Sequence, residues 1–238
     1  VYVDGEAFAA FVRGGGNVAL YANVSDLLAR CYHDSAPRLL DIGVGDGMAL
    51  LPALDAQDTP PSELTLIEPS DAMLKNTTSQ LDARRIPYAA TNGTLQEFMA
   101  QNTNQHWDII QATWSLQSIS PEERPGVFAW LRAHADRVLI AEFDVPHWRD
   151  MFDPARVTYV LDRFENGLAE YDGDGGVVAQ GFLLPVMFGY FDRSAARTNY
   201  ENPLSEWIDG LRAVGFAQVD QTLIHRYFWA DSYLLDAR

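Results

Sequence analysis

Short apolar runs alternate with helically spaced apolar positions along this chain, a pattern that predicts βαβ units and a mostly parallel sheet covered on both faces. Arg38-Leu39-Leu40-Asp41-Ile42 reads as the first strand and runs into a glycine-rich turn, after which Met48, Leu50, Leu51 and Leu54 mark a helix. Residues 63–68 read as the second strand. Beyond Pro69, Ser70 is placed to cap a helix, with Asp71 in its first turn and Leu74, Thr77, Thr78 and Leu81 at helical spacing. Residues 86–91 predict a third strand, which Pro87 confines to an edge or to the strand's first positions. Residues 107–112 and 137–143 predict a fourth and a fifth.

Simple alternation stops between residues 144 and 202. A helix-like stretch, 154–167, is followed by Asp172-Gly173-Asp174-Gly175-Gly176 with strand-like flanks, so this insertion is predicted to be a helix plus a hairpin. The turn lacks the oxygen spacing and downstream glutamate of a calcium loop. Order returns at Asn202-Pro203, a cap and first-turn pair, with Leu204, Trp207, Ile208, Leu211 and Val214 on one helical face and Gly215 as the stop. Two closing strands are expected within 216–223 and 226–235. Gly14-Gly15-Gly16 has no following Lys-Ser or Lys-Thr and reads as a bend before the first long helix. The expected organisation is one domain over 1–238, with a helical cap at 1–35 and a lid insertion at 144–202.

Composition narrows the class. Hydrophobic residues make up 47% of the chain and charged ones 21%, as in ordinary globular proteins, and no apolar run approaches the roughly 20 residues of a membrane span. No basic-then-apolar leader is visible at Val1 to Glu6, and the single Cys31 can form neither an internal disulfide nor a thiolate zinc site, so the expected location is the cytoplasm. A net charge of −16 repels phosphate backbones and anionic lipid surfaces, so neither nucleic acid nor membrane is an expected partner.

The chemistry centres on Asp41-Ile42-Gly43-Val44-Gly45-Asp46-Gly47. Glycines at a strand-to-helix junction accept positive φ and let a ligand approach the backbone. The spacing is G-x-G-x-G, and the acid at Asp41 disfavours a pyrophosphate at the turn while suiting a cationic aminoacyl nucleoside. Glu68 ends the second strand 27 residues beyond Asp41, where a carboxylate can accept hydrogen bonds from both ribose hydroxyls.

On these motifs the chain resembles the class I S-adenosylmethionine-dependent methyltransferases over roughly residues 36–145 and 202–236. The resemblance implies a Rossmann-like, mostly parallel seven-stranded α/β sheet of order 3-2-1-4-5-7-6 with the last strand antiparallel. It implies S-adenosylmethionine as cofactor, S-adenosylhomocysteine as product and methyl transfer to a small molecule, in secondary metabolism among other settings. Asp41, Gly43 and Gly45 match the family's first motif; Glu68, Pro69 and Met73 match its second strand end; Thr94, Leu95 and Gln96 match the stretch flanking adenine. Ala112 and Gln117 fall where the fourth strand passes the methionine part of the cofactor. Gln117-Ser118 replaces the histidines of many small-molecule members, and Asn92-Gly93-Thr94 replaces an acid.

The methyl group is already activated by sulfonium charge, so the mechanism needs no metal, and a base matters only if the acceptor must lose a proton. His147, just past the fifth strand, is the candidate base; His33, His106 and His134 read as structural, and His225 lies away from the cleft. Tyr21, Trp148 and Tyr190 are the candidate substrate contacts. A homodimer is left open. Other readings are a non-methylating enzyme of the same fold, an N-terminal protein methyltransferase, a nicotinamide-dependent oxidoreductase and a cofactor-binding partner subunit.

Overall fold

The structure is a computed structural model and describes residues 5–32, 36–171, 173, 176–194 and 197–238. In chain order these form α1 (Gly5–Val12), α2 (Gly15–Tyr32), β1 (Arg38–Ile42), α3 (Leu50–Asp55), β2 (Glu63–Glu68), α4 (Asp71–Arg84), β3 (Ala89–Asn92) and α5 (Leu95–Gln101). There follow β4 (Trp107–Thr113), α6 (Arg124–His134), β5 (Ala135–Phe143), α7 (Pro154–Ala169), α8 (Leu184–Gly189), α9 (Leu204–Ala213), β6 (Val219–Arg226) and β7 (Asp231–Ala237). The strand order is β3-β2-β1-β4-β5-β7-β6, with β7 antiparallel to both neighbours and β1 to β5 parallel.

Strand alternation sorts the core into two layers. Leu39, Leu64, Leu66, Ile109 and Leu139 pack with residues of α2, α3, α4 and α7 on one face. Leu40, Ile42, Ile67, Ile110, Val138 and Ile140 pack with α5, α6 and α9 on the other. Strands buried on both faces read as largely apolar runs, which is why β1, β2, β4 and β5 fall where expected. The same alternation puts Asp41 and Gln111, register partners on β1 and β4, on the face covered by α2.

Several expectations are corrected. Among the described residues the insertion contains no strand: Ala179–Leu183 form a π-helical turn that continues into α8, where the hairpin is expected. Phe182 packs against Phe8 and Phe11 of α1 with tilted rings at 5.4 and 4.3 Å between centroids, and Val178 and Leu183 are buried, so packing overrides the strand preference of this stretch. Asp172, Asp174 and Gly175 of the predicted turn, and His33, lie outside the described residues, as do residues 1–4 of the helical cap. The third strand starts only at Ala89, beyond Pro87, which has no amide to donate to β2. Asn202 is not the cap of α9; Pro203 occupies that position, and Asp144 at the end of β5 supplies the acceptor, its Oδ1 2.8 Å from the Leu204 amide. Among the described residues, no helix is long and apolar enough to cross a membrane.

Candidate functional site

The glycine turn connects β1 to α3 at the carboxyl edge of the sheet. The amides of Gly43 and Val44 both donate to the Ile67 carbonyl, at 2.8 and 3.2 Å, tying the turn to β2. Gly43 has φ +72°, and a Cβ there would stand 2.4 Å from the Cβ of Ser115, whose hydroxyl donates to the Ile42 carbonyl. Gly45 has φ +58°, and nothing lies within 4 Å of where its Cβ would stand, so one glycine is needed for packing and the other leaves bare backbone facing open space.

Glu68 holds this arrangement. Its Oε2 accepts from the Gly45 amide at 2.9 Å and its Oε1 from the Ser70 amide at 2.8 Å, and the residue is only 6% exposed. Ser70 caps α4, accepting from the Met73 amide, and Thr77 donates to the Gly45 carbonyl at 2.8 Å. One charge-assisted bond thus joins the end of β2 to the turn after β1, and a second fixes the start of α4, before any ligand arrives.

A cavity opens against the turn, lined by Tyr21, Asp41, Gly43, Gly45, Met48 and Thr113 among others. Asp41 is 2% exposed. Its Oδ2 accepts from the Gln111 amide group at 2.7 Å, and its Oδ1 is buried with no hydrogen-bond partner. Burial pushes its carboxyl up to about 7; the Gln111 bond opposes the rise and the Glu68 charge adds to it. A buried acceptor without a partner and a glycine without a wall fit a ligand that brings a cation and packs on backbone. Tyr21 stands edge-on to Trp114 at 5.1 Å. Trp114 is itself unusual, with φ +50°; its indole N–H donates to Ser232 and its ring stacks on Phe143.

Of the sequence-predicted residues, Asp41, Gly43, Gly45, Glu68 and Tyr21 come together here. Pro69 and Met73 follow Glu68, and Thr94, Leu95 and Gln96 begin α5 next to β3, whose Asn92 side chain donates to the Glu68 carbonyl. Thr94 forms a capping box with Glu97, and Leu95 is buried in the core, which leaves Gln96 exposed on that rim. Ala112 points into the opposite layer, and its neighbour Thr113 lines the cavity instead. Gln117 is held by its own contacts: its amide donates to Glu142, its side-chain NH2 donates to the Trp114 carbonyl, and its Oε1 is buried without a partner.

Of the residues predicted around the acceptor, Tyr21 lines the cavity, whereas His147, Trp148 and Tyr190 are not among its lining residues. His147 has a side chain 63% exposed, with Nδ1 3.6 Å from Glu206. Trp148 packs on Tyr159, and Tyr190 donates to Glu201 at 2.9 Å while its ring lies 4.8 Å from that of Trp229. Within the insertion Phe164 packs edge-on to Tyr190 and Phe152 stacks on Phe191, while Phe188 is exposed. Gln111 and Trp114 were missed from sequence, although a glutamine inside the apolar run Ile109-Ile110-Gln111-Ala112 is a buried polar group that asks for a partner.

Glu142 lies on the other side of β5, 2% exposed, and burial pushes its carboxyl up to about 8, with Arg124 and the Gln117 amide opposing. A carboxyl raised in the folded state binds protons that the unfolded chain has lost. Its stabilisation is therefore complete below the ordinary carboxylate range and lost as pH rises through about 8. Glu142→Gln, which cannot ionise, should gain stability relative to wild type between pH 5 and 9, by on the order of 4 kcal/mol at the upper end. Urea denaturation of both proteins across that range checks this; parallel stability curves would contradict it.

A scan against family models finds no match for the chain, and a search of curated proteins finds none. Solved structures do match. Magnesium protoporphyrin IX methyltransferase from Synechocystis PCC 6803, with bound SAH, is 15% identical at a TM-score of 0.60, covering 98% of this chain and 92% of that one. An O-methyltransferase family protein from Burkholderia thailandensis is 13% identical at a TM-score of 0.61, over 98% of this chain and 58% of that one. The mitomycin 7-O-methyltransferase is 15% identical at a TM-score of 0.56, over 94% of this chain and 55% of that one. The chain thus spans little more than half the length of the latter two. With the observed strand order, these likenesses show that the chain has the class I S-adenosylmethionine-dependent methyltransferase fold.

Proposed function

We propose that the chain is an S-adenosylmethionine-dependent methyltransferase acting on a small-molecule acceptor. The observation that carries this reading is the bare face of Gly45 beside the buried, unpartnered Oδ1 of Asp41. Exposed backbone accepts a ligand in close contact, and an orphaned carboxylate oxygen accepts a cation. The ammonium of an aminoacyl nucleoside meets both demands, whereas a pyrophosphate would meet Asp41 and Asp46 as like charges.

The bound cofactor supplies a methyl group already activated by positive charge. The chain's own residues orient and enclose. Glu68 keeps a free lone pair on each oxygen after its two amide bonds, enough for two ribose hydroxyls. Pro69, Met73, Thr94, Leu95 and Gln96 are assigned to the adenine side; Gly43, Gly45 and Gln117 are assigned to the methionine side, with Thr113 of the cavity lining in place of Ala112. Tyr21 and Trp114 form an aromatic wall where an acceptor can be held in line and water excluded. An exposed His147 paired near Glu206 is not placed for proton abstraction at this cavity, so the acceptor's proton is not assigned to it.

A thermal-shift panel tests the reading. S-adenosylmethionine and S-adenosylhomocysteine are expected to raise the melting temperature by several degrees at saturating concentration, and nicotinamide dinucleotides are expected to leave it unchanged. Stabilisation by a dinucleotide with no response to either adenosyl compound would overturn it.

A further inference from the structure

Asp41 is joined to two residues that the proposed chemistry does not itself require. Gln111 donates from its NH2 to Asp41 Oδ2 at 2.7 Å, and the Tyr32 hydroxyl donates to the Gln111 Oε1. All three are sealed from solvent: Tyr32 is 1% exposed, Gln111 0% and Asp41 2%. They arrive from separate elements, since β1 and β4 set Asp41 opposite Gln111 and α2 lays Tyr32 across them. At the end of this line Asp41 Oδ1 is left with no partner, on the wall of the cavity.

The order of donors matters. An ionised carboxylate only accepts, so the amide must turn its NH2 toward Asp41, which leaves its carbonyl oxygen to accept from the tyrosine. A protonated carboxyl could instead donate to the carbonyl oxygen, with the amide turned over and its NH2 directed at Tyr32. The state of Asp41 and the orientation of Gln111 are therefore coupled, and the arrangement present is the one that serves the carboxylate.

The geometry assigns Tyr32 and Gln111 as positioning residues for Asp41: they hold one carboxylate oxygen so that the other is presented, ionised, to the ammonium of a ligand in the cavity. This rests on the reading of the cavity as a site for an aminoacyl nucleoside. The charged and titratable groups around Asp41 are Tyr32 from α2, Glu68 from β2 and, in the glycine turn, Asp46, which is paired to Arg13 at 3.2 Å. Cys31 acts on Tyr32 from the same helix. The charge acting on Asp41 directly is that of Glu68, of like sign, and with burial it brings the carboxyl to about 7 without a ligand. Ligand affinity should therefore rise with pH up to neutrality, as the carboxylate becomes available without having to lose a proton on binding.

The test is calorimetric titration of S-adenosylhomocysteine into the full chain from pH 5.5 to 7.5, in two buffers of different ionisation enthalpy. Wild type is expected to bind about tenfold more weakly at pH 5.5 than at 7.5, with proton release at the lower pH. Tyr32→Phe, which keeps the ring and frees the amide, should move the midpoint of that profile upward; Gln111→Leu should move it further, and Asp41→Asn should flatten it. If Gln111→Leu does not fold, Tyr32→Phe and the wild-type proton count carry the test alone. Binding that is independent of pH, or a Tyr32→Phe profile that overlays wild type, would overturn the positioning role. No binding by wild type at any pH would instead overturn the reading of the cavity.

Discussion

Gly45→Ala is expected to leave the protein folded and to weaken S-adenosylhomocysteine binding at least a hundredfold. A Cβ at Gly45 meets no atom within 4 Å, so the change costs only the strain of an L residue at φ +58°, about 1 kcal/mol. The new methyl would stand where the ligand is to pack. Gly43→Ala is the contrasting case. Its Cβ would lie 2.4 Å from that of Ser115, and the backbone cannot retreat without losing the bonds from Gly43 and Val44 to Ile67. Overpacking and strain together should cost about 3 kcal/mol or more, which in a domain of this size lowers the melting temperature by roughly 10 °C. Melting curves and calorimetry on the two variants separate the roles. If Gly45→Ala binds like wild type, the bare glycine face is not the ligand's seat.

Replacement of Glu68 should hurt both fold and binding. Glu68→Ala leaves the Gly45 and Ser70 amides without their acceptor in a nearly closed site, a loss of about 2–4 kcal/mol. Glu68→Gln has nearly the same shape but brings an NH2 group to one of those two amides, donor against donor, so the isosteric change should be nearly as damaging. Urea denaturation measures the stability loss, and titration with S-adenosylhomocysteine should show affinity down more than a hundredfold in either variant. A Glu68→Gln protein of wild-type stability and affinity would contradict this account of the β2 edge.

The parts of the fold legible in sequence are those where one local rule and the tertiary structure agree. β1, β2, β4 and β5 are predominantly apolar on both faces because both are covered, and α9 shows a single apolar face ended by Gly215 at φ +101°. In the insertion the two disagree. Residues 177–189 contain Gly181, Pro185 and bulky aromatic residues that suit a hairpin locally, yet Phe182 and Leu183 are drawn into helix by their fit against α1 and the core. The cap of α9 is hidden from local sequence for a similar reason, because its acceptor, Asp144, lies 60 residues earlier in the chain.

The site divides along the same line. The glycine turn and the acid ending β2 can be found by position, since each follows directly from a strand. Tyr32 and Gln111 could not be joined to Asp41 in advance, because they stand 79 residues from one another and 70 residues separate Gln111 from Asp41. His147 follows β5 in sequence, but its side chain is 63% exposed and its Nδ1 lies 3.6 Å from Glu206. The positive φ of Trp114 has no signature in composition at all; it arises where β4 ends and the Trp114 amide is held by the Ala141 carbonyl at 2.9 Å.

The measurement that bears most directly on the central claim is a crystal structure of the full chain grown with S-adenosylhomocysteine. The account predicts ligand density against the bare face of Gly45, its ammonium within hydrogen-bond distance of Asp41 Oδ1 and its ribose hydroxyls on Glu68. Density for the compound elsewhere on the protein, with this cavity holding only water, would contradict it.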